Sequence, residues 1–494
     1  MMSTTANILK KLDGRLIING ELVAAKRLTE KIKNPATGEI VGKVGAATVK
    51  EVDTAVNAAS AAFLKWGKTS PKIRSGYLHR LGELIKKDSK ALAEILTMEQ
   101  GKPLKEAYGE ILKLAETCHF YAEEAIRING ETIPNDNLEF DSIVVREPIG
   151  VVAAITPWNY PAELVGWKLC ASLAAGCTIV IKPAEITPFI ALAIGWKCTQ
   201  AAFPSGVVNV VTGSGSSAGQ ALVKNKLIDK IAFTGSSEVG LRIQNSATSI
   251  KKMSLELGGN CPLIVTSNAN IDDAVKGAIR RSFRNCGQIC IAINRIYVDR
   301  TQYDEFITKF ASLAKSLVVA NGLNNPHADL GAIASEDSLR KTKKHLNDAL
   351  RKGARLVAGG SKPVGVELQN GRYFLPTILA DCNHKMAIMK EETFGPIVGV
   401  SDFRELSDAL KMANDTRYGL AAYVFSKNID EIKYLTSNLD CGNVAVNNVD
   451  AGIINAPYGG RKQSGIGYEH GREGMLEYTN FKHIRTKFTA LDGG

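Results

Sequence analysis

Residues 149–161 read IGVVAAITPWNYP, a continuous apolar run that ends in a turn containing two prolines. Four more apolar runs follow, each bounded by turn residues and separated from the next by a segment of helical length: 178–181, 207–211, 228–233 and 253–257. Continuously apolar strands that alternate with helices are typical of a parallel sheet covered on both faces. The stretch therefore predicts an α/β fold that binds its ligands at the carboxyl ends of the strands.

A second α/β pattern follows the first, with strands predicted at 262–265 and 295–298 and helices at 272–284 and 302–318. Upstream, residues 75–127 predict two long helices, the first ending at 101–103, and residues 143–146 predict a short strand. Residues 478–487 predict a terminal strand. Such a strand needs a partner for its free edge, and another subunit is a natural one.

The composition is that of a globular protein with two or three domains: 494 residues, 45% hydrophobic and 22% charged. The net charge is 61 − 50 = +11, but no block of five like charges occurs, which disfavours nucleic-acid binding.

Residues 1–15 lack a secretory pattern, and the apolar stretch 164–181 is interrupted by Lys168 and Gly176, which disfavours a membrane span. Nine cysteines without a regular framework favour reduced thiols and a cytoplasmic location.

The loops after the first strands carry the candidate binding motifs: 156–161, 182–185, 213–219 and 233–236. Each alone is also compatible with an ordinary turn or helix start. The glycines of 213–219 do not have GxGxxG spacing, and Leu241-Arg242 stands where a P-loop needs lysine, so both standard nucleotide motifs are excluded. Gly235 and Ser236 nevertheless open a predicted helix, where free N–H groups suit an anion.

Residues 284–290, RNCGQIC, offer two thiols four residues apart. A zinc site would need four Cys or His ligands, and no histidine is near, so a metal is not expected. One thiol could be a nucleophile and the other a buried filler, a choice that spacing leaves open. Glu256, at the end of a predicted strand, is a candidate base whose distance from either thiol the sequence does not give.

Taken together, these segments resemble the NAD(P)-dependent aldehyde dehydrogenase superfamily, with general and succinate-semialdehyde dehydrogenases as the most similar members. The resemblance covers nearly the whole chain and rests on seven motifs in the family's order: 156–161, 182–185, 233–236, 255–259, 285–290, 391–396 and 459–465. It implies that Cys290 is the nucleophile, with Cys286 a bystander, and that Glu256 is the general base. Asn159 and the backbone N–H of Cys290 would stabilise the oxyanion. Lys168 and Glu469 would pass protons away from the base.

The resemblance also implies a nicotinamide cofactor. Lys182 and Glu185 would hold the adenosine ribose, Ser236 the pyrophosphate and Glu392 the nicotinamide ribose, with Phe394 near the nicotinamide. Because the Glu185 carboxylate would repel a 2′-phosphate, we expect a preference for NAD, with NADP as the alternative that Lys182 leaves open. The other expected cofactor contacts are Ile155, Thr156, Pro157, Trp158, Pro183, Ala184, Gly215, Gly219, Phe233, Thr234, Gly235, Val239, Leu257 and Gly258.

The family's fold implies two parallel-sheet α/β domains and a small β bridging element. The cofactor-binding domain would comprise 1–128 and 149–258, the catalytic domain 259–473, and the bridging element 129–148 and 474–494. Through that element the protein would form a homodimer or homotetramer.

The expected substrate is an apolar or aromatic aldehyde, because Tyr160, Leu164, Trp167 and Tyr458 suggest an apolar funnel. A succinate semialdehyde or a small hydroxyaldehyde is the alternative. Arg284 matches one of the two carboxylate-binding arginines of succinate-semialdehyde dehydrogenases, but Trp167 stands at the position of the other. A coenzyme-A-acylating enzyme is disfavoured because Glu256 is retained, and a non-catalytic family member because Cys290 and Asn159 are.

Overall fold

The computed structural model describes residues 4–488; the ends of the expected domains, 1–3 and 489–494, lie outside the described residues. The helices are α1 (Thr4–Leu12), α2 (Val49–Trp66), α3 (Pro71–Lys87), α4 (Ser89–Gln100), α5 (Leu104–Ala125), α6 (Glu163–Ala175), α7 (Pro188–Gln200), α8 (Gln220–Lys224), α9 (Ser237–Ser246), α10 (Ile271–Phe283), α11 (Tyr303–Ser316), α12 (Glu336–Arg351), α13 (Leu406–Asn414), α14 (Ile429–Asn438) and α15 (Gly471–Leu476).

The strands are β1 (Arg15–Ile18), β2 (Glu21–Ala24), β3 (Leu28–Lys33), β4 (Ile40–Gly45), β5 (Glu131–Ile133), β6 (Phe140–Pro148), β7 (Val151–Ile155), β8 (Thr178–Lys182), β9 (Val208–Val210), β10 (Lys230–Thr234), β11 (Lys252–Glu256), β12 (Cys261–Val265), β13 (Ile293–Asp299), β14 (Arg355–Ala358), β15 (Thr377–Ala380), β16 (Ile397–Phe403), β17 (Tyr418–Gly419), β18 (Ala421–Phe425), β19 (Asn443–Val446), β20 (Arg461–Lys462), β21 (Gly465–Ile466) and β22 (Thr479–Lys487). Every strand predicted from the sequence overlaps one of these elements, and several of the observed strands are one or two residues shorter at an end.

The first α/β domain contains an eight-stranded sheet in the order β2-β1-β9-β8-β7-β10-β11-β21. Strands β9, β8, β7, β10 and β11 run parallel, and every residue of β7, β8 and β10 is buried, as the continuous apolar runs predict. The registers pair Ile155 with Lys182 and with Phe233, and Thr234 with Glu256. The carboxyl ends of these strands therefore meet at one edge of the sheet.

The second α/β domain contains a seven-stranded sheet in the order β14-β15-β16-β13-β12-β18-β19, parallel except for β14. The predicted helices near 272–284 and 302–318 are α10 and α11. The two mixed sheets, each with helices packed against it, confirm the predicted α/β class.

A smaller sheet in the order β22-β6-β5 stands apart from the two large ones. Its terminal strand, β22, is exposed from its second residue onward and includes exposed Phe481 and Ile484. Within residues 4–488, β22 pairs with β6 alone, so its other edge is unpaired in this chain.

The prediction of two long helices over residues 75–127 is wrong, because three helices, α3, α4 and α5, cover this region. The first predicted helix is divided at Asp88, whose backbone (φ −102°, ψ 16°) is not helical. The Asp88 carboxylate forms an ion pair with Lys197 of α7. The helix thus ends where Asp88 contacts a residue distant in sequence. Hydrophobic periodicity reports only local patterns and therefore does not show where this helix ends.

None of the helices in the described part of the chain combines the length and apolar character that crossing a membrane requires.

Candidate active site

Cys290 lies shortly after a 3-10 turn that follows α10. Its Sγ atom is 3.4 Å from the hydroxyl of Tyr458, and the side chain is only partly buried. Burial nevertheless raises the pKa of Cys290 to about 12. At neutral pH this thiol is therefore protonated, and it needs a nearby base to become a nucleophile.

Cys286 is in a different environment. It is buried, and its thiol contacts the carbonyl oxygen of Gly331 at 3.2 Å. Of the two thiols, Cys290 but not Cys286 lines the cavity described below. The structure thus separates two cysteines that spacing alone does not distinguish.

The side chain of Asn159 is held beside Cys290 by the turn after β7. Its Nδ2 donates one hydrogen bond to the carbonyl oxygen of Gln288 (3.1 Å). The backbone carbonyl oxygen of Asn159 accepts from Lys102 Nζ and from Asn285 Nδ2, both at 2.8 Å. Because a carboxamide nitrogen carries two hydrogens, one N–H of Asn159 is left for a ligand.

A buried ion pair supports this turn from behind. Lys102 Nζ lies 2.5 Å from Glu110 Oε2, and both side chains are fully buried. The other oxygen of Glu110 accepts from the backbone N–H groups of Ala162 and Glu163, at the start of α6. The sequence analysis did not identify Lys102 or Glu110, since the glycine-lysine-proline at 101–103 was interpreted only as a helix end.

Glu256 is the last residue of β11. It is buried, and neither carboxylate oxygen has a hydrogen-bond partner within residues 4–488. Burial raises the pKa of Glu256 well above its ordinary value, and the charge of Glu469 raises it further, while Lys168 lowers it. The charge of Glu256 also raises the pKa of Cys290, so the two groups lie within electrostatic reach.

Lys168 and Glu469 form an ion pair beside Glu256. Lys168 is fully buried and also donates to Thr234 Oγ1 (2.6 Å). The structure therefore brings all five residues predicted to be catalytic into one region: Cys290, Glu256, Asn159, Lys168 and Glu469.

The predicted ribose residues lie at the edge of the first sheet. Glu185 Oε1 accepts from the backbone N–H of Gly215 (2.6 Å) and lies 3.5 Å from Lys182 Nζ. Burial lowers the pKa of Lys182. A cavity of about 410 Å³ opens here, lined among others by Ile155, Glu185, Gly215, Gly219, Val239 and Arg242.

The other expected cofactor residues surround the same edge. Ser236 caps α9, its Oγ accepting from the N–H of Val239 at 3.3 Å. Thr156 Oγ1 is buried without a partner in the described chain. Phe233 and Thr234 end β10, and the remaining residues lie in the loops that follow the strands: Pro157, Trp158, Pro183, Ala184, Gly235, Leu257 and Gly258.

Glu392 and Phe394 approach this edge from the second domain. Glu392 accepts a hydrogen bond from the N–H of Gly259 (3.0 Å), and burial raises the pKa of Glu392 to about 7. Phe394 packs edge-to-face against Trp158, with ring centroids 5.2 Å apart.

The five predicted substrate residues meet in a cavity of about 90 Å³ that also contains Cys290 and Asn159: Tyr160, Leu164, Trp167, Arg284 and Tyr458. The rings of Trp167 and Tyr458 are 5.7 Å apart. Charged and polar side chains that the sequence analysis missed complete the lining: Lys113, Glu163, Arg281, Asp450 and His470. They come from segments far apart in sequence, and no local pattern marks them.

The sequence profile described as the aldehyde dehydrogenase family matches residues 23–484. The chain belongs to the aldehyde dehydrogenase family. The family prediction made from the seven motifs is thus confirmed.

Similarity to individual aldehyde dehydrogenases extends over nearly the whole chain. The glutarate-semialdehyde dehydrogenase of Pseudomonas putida is 42% identical, with 94% of this chain and 96% of that protein aligned. The NADP-linked succinate-semialdehyde dehydrogenase of Escherichia coli is 41% identical, with 95% of this chain and 96% of that protein aligned. The crystal structure of betaine aldehyde dehydrogenase from Staphylococcus aureus with NAD+ superposes with a TM-score of 0.95 at 34% identity. The superposition covers 99% of this chain and 98% of that chain. The aldehyde dehydrogenase fold is confirmed.

Proposed function

We propose that the protein oxidises an aldehyde to the carboxylic acid with NAD(P)+, using Cys290 as the nucleophile. One observation carries the proposal. Cys290 shares a cavity with Asn159, which has a free N–H. The carboxylate of Glu256 lies within electrostatic reach of Cys290 and has no hydrogen-bond partner among residues 4–488. A nucleophile, an oxyanion donor and a base are what acyl chemistry on an aldehyde requires.

In the first step Glu256 takes the proton of Cys290, and the thiolate attacks the aldehyde carbon. The carbonyl oxygen becomes negatively charged as the C–S bond forms. The free N–H of Asn159 and the backbone N–H of Cys290 donate to that oxygen, which stabilises the thiohemiacetal. When bound, NAD(P)+ supplies the hydride acceptor that converts this adduct into a thioester.

Before the second step, the ion pair of Lys168 and Glu469 would carry the proton that came from Cys290 away from Glu256, which leaves Glu256 able to act as a base again. Water then cleaves the thioester, Glu256 takes a proton from the water, and Cys290 leaves as the thiolate. The same ion pair would then carry the proton from the water away from Glu256. Because the base position holds a carboxylate, we propose release of a free acid rather than transfer to coenzyme A.

The edge of the first sheet fits a nicotinamide dinucleotide. The Thr156 hydroxyl, which has no hydrogen-bond partner in the part of the chain that the structure describes, offers it a polar contact, and the cavity beside Glu185 offers it space. We propose NAD as the preferred cofactor because Glu185 presents a carboxylate to the ribose. The relatives support a nicotinamide cofactor but differ in which one they are named or solved with. The Escherichia coli enzyme is named for NADP+, and the Staphylococcus aureus enzyme was solved with NAD+.

Glu185→Gln is expected to shift cofactor preference towards NADP. The amide keeps the length of the side chain but removes the negative charge, which weakens a charge-assisted hydrogen bond to the ribose and the repulsion of a 2′-phosphate. The NAD/NADP ratio of kcat/KM should fall about tenfold. Steady-state kinetics with both cofactors measures it. An unchanged ratio would show that Glu185 does not select the cofactor.

For the substrate, the relatives favour the semialdehyde alternative over the apolar or aromatic aldehyde expected first. Two relatives at 41–42% identity are named for succinate and glutarate semialdehydes. Arg284, Arg281 and Lys113 line the cavity together with the carboxylates of Glu163 and Asp450. Arg281 is paired with Asp450 (3.2 Å), so Arg284 and Lys113 are the cationic groups available to a bound substrate. We therefore propose an aldehyde that carries a carboxylate at its far end. An apolar or aromatic aldehyde stays the second candidate, because Trp167 occupies the place of the other arginine.

Arg284→Met is expected to separate the two substrate classes. Loss of a charged hydrogen bond to the substrate carboxylate should lower kcat/KM for succinate semialdehyde about 10–100-fold. The value for butanal, which lacks the carboxylate, should change less than about threefold. Equal losses for both aldehydes would instead assign Arg284 a structural role through Glu106, whose carboxylate lies 3.8 Å away.

We also propose the domain division expected from the family and a homodimer or homotetramer. One edge of β22 pairs with no other strand within residues 4–488, which supports assembly through the bridging sheet. The nine cysteines are all free, which supports a reducing compartment such as the cytoplasm.

A further inference from the structure

His470 is a wall residue of the substrate cavity that the mechanism above does not use. It follows Glu469 and directly precedes α15, with no capping hydrogen bond from its side chain to that helix. Its ring packs edge-on against Trp167, with centroids 4.0 Å apart, and lies 5.4 Å from the ring of Tyr458. Only 4% of the residue is exposed.

The hydrogen bonding of His470 fixes its tautomer. Nδ1 lies 3.1 Å from the carbonyl oxygen of Ile453, and a carbonyl oxygen can only accept, so Nδ1 carries the hydrogen. Burial lowers the pKa of His470 to about 3, so the ring is neutral at physiological pH. The other nitrogen, Nε2, is therefore an acceptor with a free lone pair.

This acceptor has no donor in the described chain. Nε2 is buried and lacks a hydrogen-bond partner within residues 4–488. The neighbouring Tyr458 hydroxyl is placed against the sulfur of Cys290 instead. A buried acceptor without a donor is unfavourable unless a ligand or water supplies one.

The backbone of His470 also argues for a role of the imidazole. Its φ of 61° and ψ of 171° fall in a region that glycine adopts readily and other residues rarely do. Glycine at this position would remove the conformational strain of the backbone. The presence of histidine is therefore explained by its side chain and not by the turn.

We propose that Nε2 of His470 accepts a hydrogen bond from a hydroxyl group of the substrate, so that the enzyme prefers hydroxylated aldehydes. This inference rests on the proposed aldehyde oxidation and adds a hydroxyl to the groups that the cavity recognises, separate from the carboxylate proposed above. Trp167 and Tyr458 would pack against the carbon chain while His470 binds the hydroxyl. A site that offers a buried acceptor discriminates against analogues that lack the donor, because the acceptor is then left unpaired.

The test compares aldehydes that differ only in one hydroxyl: propanal with 2-hydroxypropanal, butanal with 4-hydroxybutanal, and benzaldehyde with 4-hydroxybenzaldehyde. In the wild type, the hydroxyl should raise kcat/KM about tenfold in at least one pair. His470→Leu should remove that advantage, so that the ratio of the two kcat/KM values within that pair falls close to one. His470→Asn should keep part of the advantage, because its oxygen accepts and asparagine tolerates positive φ.

Equal losses for both members of every pair in His470→Leu would overturn the inference and show a packing role. So would wild-type ratios near one in all pairs, a result that does not depend on whether any variant folds. If the wild type oxidises the simple aldehydes with the same kcat/KM as their hydroxylated counterparts, only this inference fails. If it oxidises no aldehyde with either cofactor, the proposed function itself fails.

Discussion

Cys290→Ala is expected to lower kcat for aldehyde oxidation by at least about 10⁴-fold, since it removes the atom that forms the covalent adduct. The change is small and the side chain only partly buried, so the variant should fold. NAD(P)H formation, followed by absorbance with succinate semialdehyde, butanal and benzaldehyde, measures the effect. Thermal unfolding checks that the variant is native.

Cys286→Ala is the matched control, because it removes a thiol four residues away in the same loop. That thiol contacts Gly331 and does not line the cavity, so activity should stay within about threefold of the wild type. A Cys286 variant that loses activity while the Cys290 variant keeps it would reverse the assignment of the nucleophile.

Glu256→Gln is expected to lower kcat about 10²–10⁴-fold, the range for loss of a general base. The same change should stabilise the fold, because it replaces a buried carboxylate that has no hydrogen-bond partner in the described chain. A loss of activity together with a gain in stability would show that the Glu256 carboxylate serves catalysis although its burial destabilises the fold.

The stabilisation by Glu256→Gln should depend on pH. Because the folded-state pKa of Glu256 is raised, the native protein binds its proton more tightly than the unfolded chain does. Wild-type stability therefore falls as pH rises from the ordinary pKa of about 4.5 through the raised value, and glutamine removes this loss. The melting temperatures of the two proteins should differ more at pH 8 than at pH 5.

Glu305→Gln, at an exposed carboxylate on α11, provides the control for activity and should not change it. A Glu256 variant with wild-type activity would remove Glu256 from the mechanism. A stability difference that is the same at pH 5 and pH 8 would show that the carboxylate is not held at a raised pKa.

Much of the site follows from the sequence because it sits at strand ends. The apolar runs at 178–181 and 253–257 locate β8 and β11 to within about one residue. Parallel registers then align the last residues, Lys182 and Glu256, at the same edge as Thr234. Periodicity and the topology of parallel sheets are enough for this part.

The supporting contacts could not be predicted because they join distant segments. Lys102 on the approach to α5 reaches Asn159 and Glu110, and Nδ1 of His470 is oriented by a carbonyl 17 residues away. Sequence patterns report what is buried, but not which buried polar groups meet. The same limit applies to the substrate: the aromatic residues of the cavity were predicted, whereas Arg281 and Lys113 were not.

The most direct test of the account is the identity of the covalent intermediate. Wild-type enzyme is mixed with NAD(P)+ and an aldehyde that it oxidises, and the reaction is quenched with acid at several times during turnover. Mass spectrometry should find the acyl group of that aldehyde as a thioester on Cys290, and the Cys290→Ala variant should carry none. No acyl group at any quench time, or an acyl group on another cysteine, would contradict the proposed mechanism.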